Sequence, residues 1–235
     1  MSMTVDRARR AGGLAGILFV VAGVVSLVLP GSPPKADETA KITGYFADKH
    51  NEILASNYIA GIAFLLFLLF AGALRAHLGA ADRGGLRPGG TMLAGAAVTA
   101  ALVLAGTAVV NGAVFQVAAA NDANLNHALY DVASDLFVAM GFALATFFVG
   151  AAIAIANTRV LPNVLAISAL VVALVSLVAP VAFFAKSGFF AIGGAYGFIA
   201  PGLALLWVLG TSIMMLLPAP APTPTPAVRA EGGYA

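Results

Sequence analysis

Three side chains able to share a proton or a cation recur at steps of four: His127, Asp131 and Asp135. On a helix this spacing makes one stripe. From the first to the last, the stripe climbs ~12 Å at ~1.5 Å per residue. The ligands of one metal ion lie within a few ångström of each other, so all three cannot hold one ion. His127 with Asp131 can supply two ligands, with a third from elsewhere. Two carboxylates four apart also repel by a few tenths of a kcal/mol. A partner is therefore expected for Asp131 and Asp135: Lys186, Lys49 or a bound cation. Tyr130, Asn57 and Asn111 add a phenol and two amides to the same candidate group.

Little else in the chain can carry chemistry. There are no cysteines, which excludes disulfides, thiolate metal sites and thiol nucleophiles. No Gly-x-Ser-x-Gly, His-Glu-x-x-His or phosphate-binding Gly-rich loop with Lys is present. The pairs Gly84-Gly85, Gly89-Gly90 and Gly193-Gly194 read as turns. His50 and His77 fall at opposite ends of one apolar run, so they share no site, and nothing supports an axial haem pair of His50 with His127. The expectation is a protein without catalytic residues or cofactor. A net charge of only +2 and the lack of a basic face exclude nucleic acid as a partner.

The elements that must position these residues are apolar. Hydrophobic residues make up 61% of the chain and charged residues 9%. A soluble domain carries about 25% charge, and so few charges would leave large apolar patches facing water. Six runs reach the ~20 residues needed to cross a ~30 Å hydrocarbon core. They cover about Ala11–Leu29, Ser56–Leu74, Thr91–Asn111, Leu136–Ala156, Val164–Phe184 and Ala195–Leu217. The first is longer than the apolar core of a signal peptide, and Pro30-Gly31-Ser32-Pro33-Pro34 offers no good cleavage site, so it reads as an uncleaved span. Residues 31–55 connect the first two spans. There Ser32-Pro33-Pro34 breaks the chain, Asp37 and Glu38 suit a helix start, and Ile42, Tyr45, Phe46 and Lys49 follow helical spacing. The predicted fold is an all-α membrane protein: a bundle of six transmembrane helices, residues 11–217, with one outer amphipathic helix between the first two. Residues 1–10 form a short N-terminus, and 218–235 form a disordered Pro-rich tail.

Basic residues set the orientation. With the N-terminus in the cytoplasm, all eight arginines fall inside and all four lysines outside, while Asp37, Glu38, Asp48, Glu52, Asp122, Asp131 and Asp135 fall outside or at the outer rim. Both termini are then cytoplasmic in a plasma membrane. Counting residues along each span places Asn57, Asn111 and Asp135 at the outer rim and Asp131, Tyr130 and His127 one to two turns above it. No charge falls near the midplane, where proton relays, voltage sensors and carriers need one. Two arrangements fit: an outward-facing vestibule lined by these residues, or an ordinary interfacial belt of Tyr, Asn and Asp. In the vestibule, Asp131 and Asp135 would both turn inward, because a carboxylate facing acyl chains is costly. Close helix packing falls to small residues. Candidates are Gly12-xxx-Gly16, Ala101-xxx-Ala105, Gly141-xxx-Ala145 and Gly193-xxx-Gly197, and Pro201 should kink the last span. Val24–Pro30 and Leu174–Pro180 share a weak likeness that suggests an internal repeat.

Gly13-Leu14-Ala15-Gly16-Ile17-Leu18-Phe19-Val20, the Pro-rich loop, Tyr45-Phe46 before Asn57-Tyr58, Ala128-Leu129-Tyr130-Asp131 and the Gly-rich start of the last helix form a diffuse pattern. It resembles small six-span membrane proteins of actinobacteria, similar to domain-of-unknown-function family 4386. That resemblance covers the chain to about Leu217 and implies six helices with no assigned activity. The expected function is non-enzymatic binding of a lipid or protein partner at the outer face. A small-molecule permease with an outward-facing polar vestibule is the alternative.

Overall fold

A computed structural model of the chain describes residues 2–34, 39–79, 88–117, 122–185 and 187–217. The expected cap at Asp37 and Glu38, the loop arginines Arg83 and Arg87, Lys186 and the Pro-rich tail lie outside the described residues. The described residues form seven α-helices: α1 (Ser2–Val28), α2 (Thr39–Asp48), α3 (His50–Gly79), α4 (Pro88–Gly112), α5 (Ala123–Thr158), α6 (Asn163–Val178) and α7 (Tyr196–Leu216). A π-helical turn, Ala113–Val117, follows α4, and a 3-10 turn, Ala179–Phe184, follows α6. All but α2 belong to segments long and apolar enough to cross a membrane, so the protein is an all-α six-helix membrane bundle. The spanning helices form a closed ring in the order α1, α3, α4, α5, α6, α7, with α7 packing back on α1.

Helix α5 starts well before the apolar run at Leu136. Its start is set by Asp122, whose side chain accepts hydrogen bonds from the backbone N–H groups of Asn124 and Leu125, both at 3.1 Å. Hydropathy does not reveal such a start, because residues 123–135 are helical without being lipid-soluble. With 36 residues, α5 is about 54 Å long at 1.5 Å per residue, and so overruns the hydrocarbon core at its N-terminal end. At the other end Arg159 adopts a left-handed conformation, φ 53°, and its N–H closes on the Ile155 carbonyl at 2.9 Å. Pro162 then opens α6.

Helix α2 buries Ile42 and Phe46, four residues apart, against Ile53, Ala113, Val114 and Tyr130. Lys41, Ala47 and Asp48 point away from this cluster and are exposed. The backbone bonds Lys49 N–H to Tyr45 O and Ile53 N–H to Lys49 O carry the helical pattern through the junction. The amphipathic helix therefore runs into α3 and rests its apolar face on protein.

The ring has two unlike ends. The α2 end also holds the π-turn, the start of α5, the 3-10 turn and the loop before α7. At the opposite end, the arginine end, lie Arg7, Arg9, Arg10, Arg75 and Arg159. There the Arg9 guanidinium donates to the Leu217 carbonyl at 2.8 Å, tying the start of α1 to the unsatisfied end of α7. Helices α4 and α5 meet closely. A methyl group on Gly95 would strike the backbone of Phe147, and one on Gly150 the backbone of Met92. Gly12 faces Ala73, Gly16 faces Ser212 and Phe70, and Gly141 faces the Ser176 carbonyl and Pro180. The other two expected pairs do not mediate packing. Ala101 and Ala105 are exposed. Gly193 sits in a turn with φ 78°, and a methyl group built on Gly197 would meet nothing within 4 Å. Pro201 lies inside α7, as its position in the last apolar run implies.

Candidate functional site

The π-turn and the first turns of α3 and α5 bring several polar groups together beneath α2. Asn57 Nδ2 donates to Asn111 Oδ1 at 2.6 Å, joining α3 to α4. The Tyr130 hydroxyl donates to the Pro34 carbonyl at 2.6 Å and so fixes the segment leading into α2. Asn126, one turn earlier on the same face of α5, is fully buried and donates to Thr43 Oγ1 at 3.1 Å. Tyr45 is half-buried on α2; burial, aided by the nearby Glu52 carboxylate, holds its phenol pKa above the usual tyrosine value.

His127, Asp131 and Asp135 are placed differently from the vestibule expectation. His127 Nδ1 lies 3.4 Å from Asp131 Oδ2, while Asp131 is half-exposed and Asp135 exposed. The face of α5 that turns inward carries Asn126, Tyr130, Ala133 and Phe137, one helical step from the acidic stripe. The expectation that both carboxylates turn inward towards Asn57, Asn111 or a lysine is therefore corrected. The physical reason is the overrun of α5. At the level of Asp131 and Asp135 the surroundings are water and headgroups, so pointing outward carries no desolvation cost. Lys49, one of the expected partners, instead pairs with Glu52 at 3.3 Å. Among the described residues, no three His, Asp or Glu side chains gather as metal ligands.

What the inward faces enclose is an apolar cavity of about 420 Å³. Pro33, Tyr45, Phe46 and Tyr130 roof it beneath α2. Its walls come from α1, α3, α4, α5 and α7, and its floor from Phe19, Phe67, Leu144, Phe148 and Val208. Below the floor Phe70, Leu74, Met92, Phe147 and Ile155 are fully buried, so the cavity is blind towards the arginine end. From Tyr196 to Val208 along α7 it extends roughly 18 Å, and from Ile53 to Phe67 along α3 roughly 21 Å. Among the described residues, no charged side chain lines it. Four of its hydroxyl groups donate to protein carbonyls: Ser56 to Ser26 at 2.6 Å, Thr99 to Gly95 at 2.8 Å, Thr107 to Leu104 at 2.9 Å and Tyr196 to Val175 at 2.8 Å. Asn57 and Tyr130 are the two members of the candidate group that line the cavity. Asn111 supports Asn57 from behind, while His127, Asp131 and Asp135 stand outside.

Ala60, Ala133, Ala200 and Ala204 also line the cavity and escape a search for polar residues. Their only sequence signal is small size on an inward face, which equally marks close packing. No protein-family profile, curated protein or solved structure matches the chain. The chemistry open to the site follows from its lining. Among the described residues its polar groups are hydroxyls and the Asn57 amide, the rest of the lining is apolar, and the space can enclose an apolar molecule.

Proposed function

We propose that this chain is a non-enzymatic integral membrane protein that binds an apolar, lipid-like molecule within its helix ring. The observation that carries this is the 420 Å³ cavity, blind at one end, without a charged side chain among its described lining residues and with most of its hydroxyls bonded to protein carbonyls. Ligand sites of roughly 300–1,000 Å³ with few polar groups suit small apolar molecules. The distribution of arginines favours the cytoplasm for the arginine end and both termini, with α2 and the roof on the outer face of the plasma membrane. Binding at the outer face then takes place inside the bundle, below α2. Carriage of a polar solute draws no support from a blind, apolar cavity.

Native mass spectrometry of the protein released from mild detergent tests the proposal. One co-purified apolar molecule per chain is expected, and it should be lost when Ala60→Phe or Ala204→Phe fills the space. An adduct that survives both substitutions in folded protein would refute the cavity as its site.

A further inference from the structure

The cavity lies inside the bundle, yet some of its lining residues are also on the outer surface. Leu27 near the end of α1 is 46% exposed, and Phe198 in the first turn of α7 is 51% exposed. Lower down, the two helices are in contact, where Gly16 meets Ser212 and Gly23 meets Leu205. Nearer the roof, a methyl group built on Gly197 would meet nothing within 4 Å, and Gly197 lines the cavity together with Ser26 and Leu27 of α1. Leu27 of α1 and Phe198 of α7 thus reach both the cavity and the outer surface, and a mouth between them would open sideways through the wall of the bundle.

Resting on the proposed binding function, we infer that the occupant is one uncharged, single-chain lipid headed by a hydroxyl, which leaves the bilayer sideways between α1 and α7. Three observations select this class. The cavity is tall and narrow: 420 Å³ spread over the roughly 20 Å of depth along α3 and α7 leaves width for one chain and not two. Among the described residues the lining offers an ionised headgroup no cationic side chain, and burying an unpaired charge is expensive. At the mouth Pro201 has no N–H to offer the Gly197 carbonyl, which leaves an acceptor for a donating head such as an alcohol.

Trp207 is the only tryptophan in the chain and reports from the floor. Its indole packs edge-on against Phe148, centroids 5.2 Å apart, and donates to the Leu165 carbonyl at 2.9 Å. The full chain is placed in phosphatidylcholine nanodiscs, and three probes carry a nitroxide quencher near the end of an 18-carbon chain. They are the long-chain alcohol, its sulfate ester and a two-chain phosphatidylcholine. The alcohol should quench Trp207 at least threefold more strongly than either of the others, and Ala204→Phe should abolish the difference. Because the chain lacks cysteine, Leu27→Cys with Phe198→Cys, joined by a reducible bridging reagent, closes the mouth. Quenching by the alcohol should then slow at least tenfold and recover on reduction. Equal quenching by the sulfate ester or the two-chain lipid, still abolished by Ala204→Phe, overturns the lipid class and leaves cavity binding intact. Unchanged kinetics in the bridged protein overturn the sideways path. Quenching by all three that is indifferent to Ala204→Phe and Ala60→Phe overturns the binding function itself.

Discussion

Asn57 and Asn111 come from different spans, and their 2.6 Å bond is a polar link between α3 and α4 beside the cavity wall. Interhelical hydrogen bonds in membranes contribute about 0.6 kcal/mol on average and up to about 1.7. A double-mutant cycle with Asn57→Ala and Asn111→Ala should give a coupling of about that size in detergent unfolding; zero coupling would mean that the bond is not formed. The same measurement separates these amides from the acids. Asp131→Asn with Asp135→Asn should change stability by no more than about 0.5 kcal/mol, as surface substitutions do, and should leave ligand binding intact. A loss well above that would return the two carboxylates to the interior. The nearness of Asn57 and Asn111 was legible because depth counting assigns them one level in the membrane. The direction of the acidic stripe was not. A spacing of four says that His127, Asp131 and Asp135 share a face, and it leaves open which neighbour that face meets.

Helix α2 is held by burial of Ile42 and Phe46 and by the Tyr130 bond to Pro34. Tyr130→Phe removes a single hydrogen bond and should cost about 0.5–1.5 kcal/mol, seen as faster proteolysis of the segment before α3. The raised pKa of Tyr45 adds a pH dependence. Its neutral form is favoured in the folded protein, so this contribution is fully present below the ordinary tyrosine pKa of 10.0 and is lost as pH rises through the higher folded value. A spin label at Asp48→Cys should gain mobility in that alkaline range, and Tyr45→Phe should remove the transition. A label equally mobile at neutral pH would show that α2 is not docked. Between the long helices, Gly95→Leu or Gly150→Leu should cost about 1–3 kcal/mol by overpacking the α4–α5 contact, whereas Ala101→Leu should be near neutral. The helices themselves could be read from six apolar runs, and α2 from the spacing of Ile42, Tyr45 and Phe46. Which small residues meet another backbone could not, since glycine and alanine are frequent everywhere and only the neighbouring helix decides.

At the scale of the whole molecule, the bundle and its charge asymmetry follow from composition, because lipid-facing and loop segments differ so strongly in polarity. The cavity does not follow. The alanines that line it would serve equally to bring helices together, and empty space arises only where opposite walls fail to meet. Orientation can be checked with the missing cysteines put to use. A thiol reagent that does not cross membranes should reach Asp48→Cys from outside intact cells and Arg159→Cys only after permeabilisation; the reverse pattern would invert the proposed topology. The floor of the cavity has a further, electrical consequence. Phe70, Leu74, Met92, Phe147 and Ile155 leave no exposed side-chain surface between the cavity and the arginine end. A water file or an ion moving through them would have to shed its hydration with nothing to replace it. The molecule should therefore insulate even when its mouth is open. In a planar bilayer it should produce no conductance steps, and liposomes carrying it should hold a proton gradient as long as empty liposomes do. A cavity that opens sideways as inferred would thus coexist with a sealed membrane.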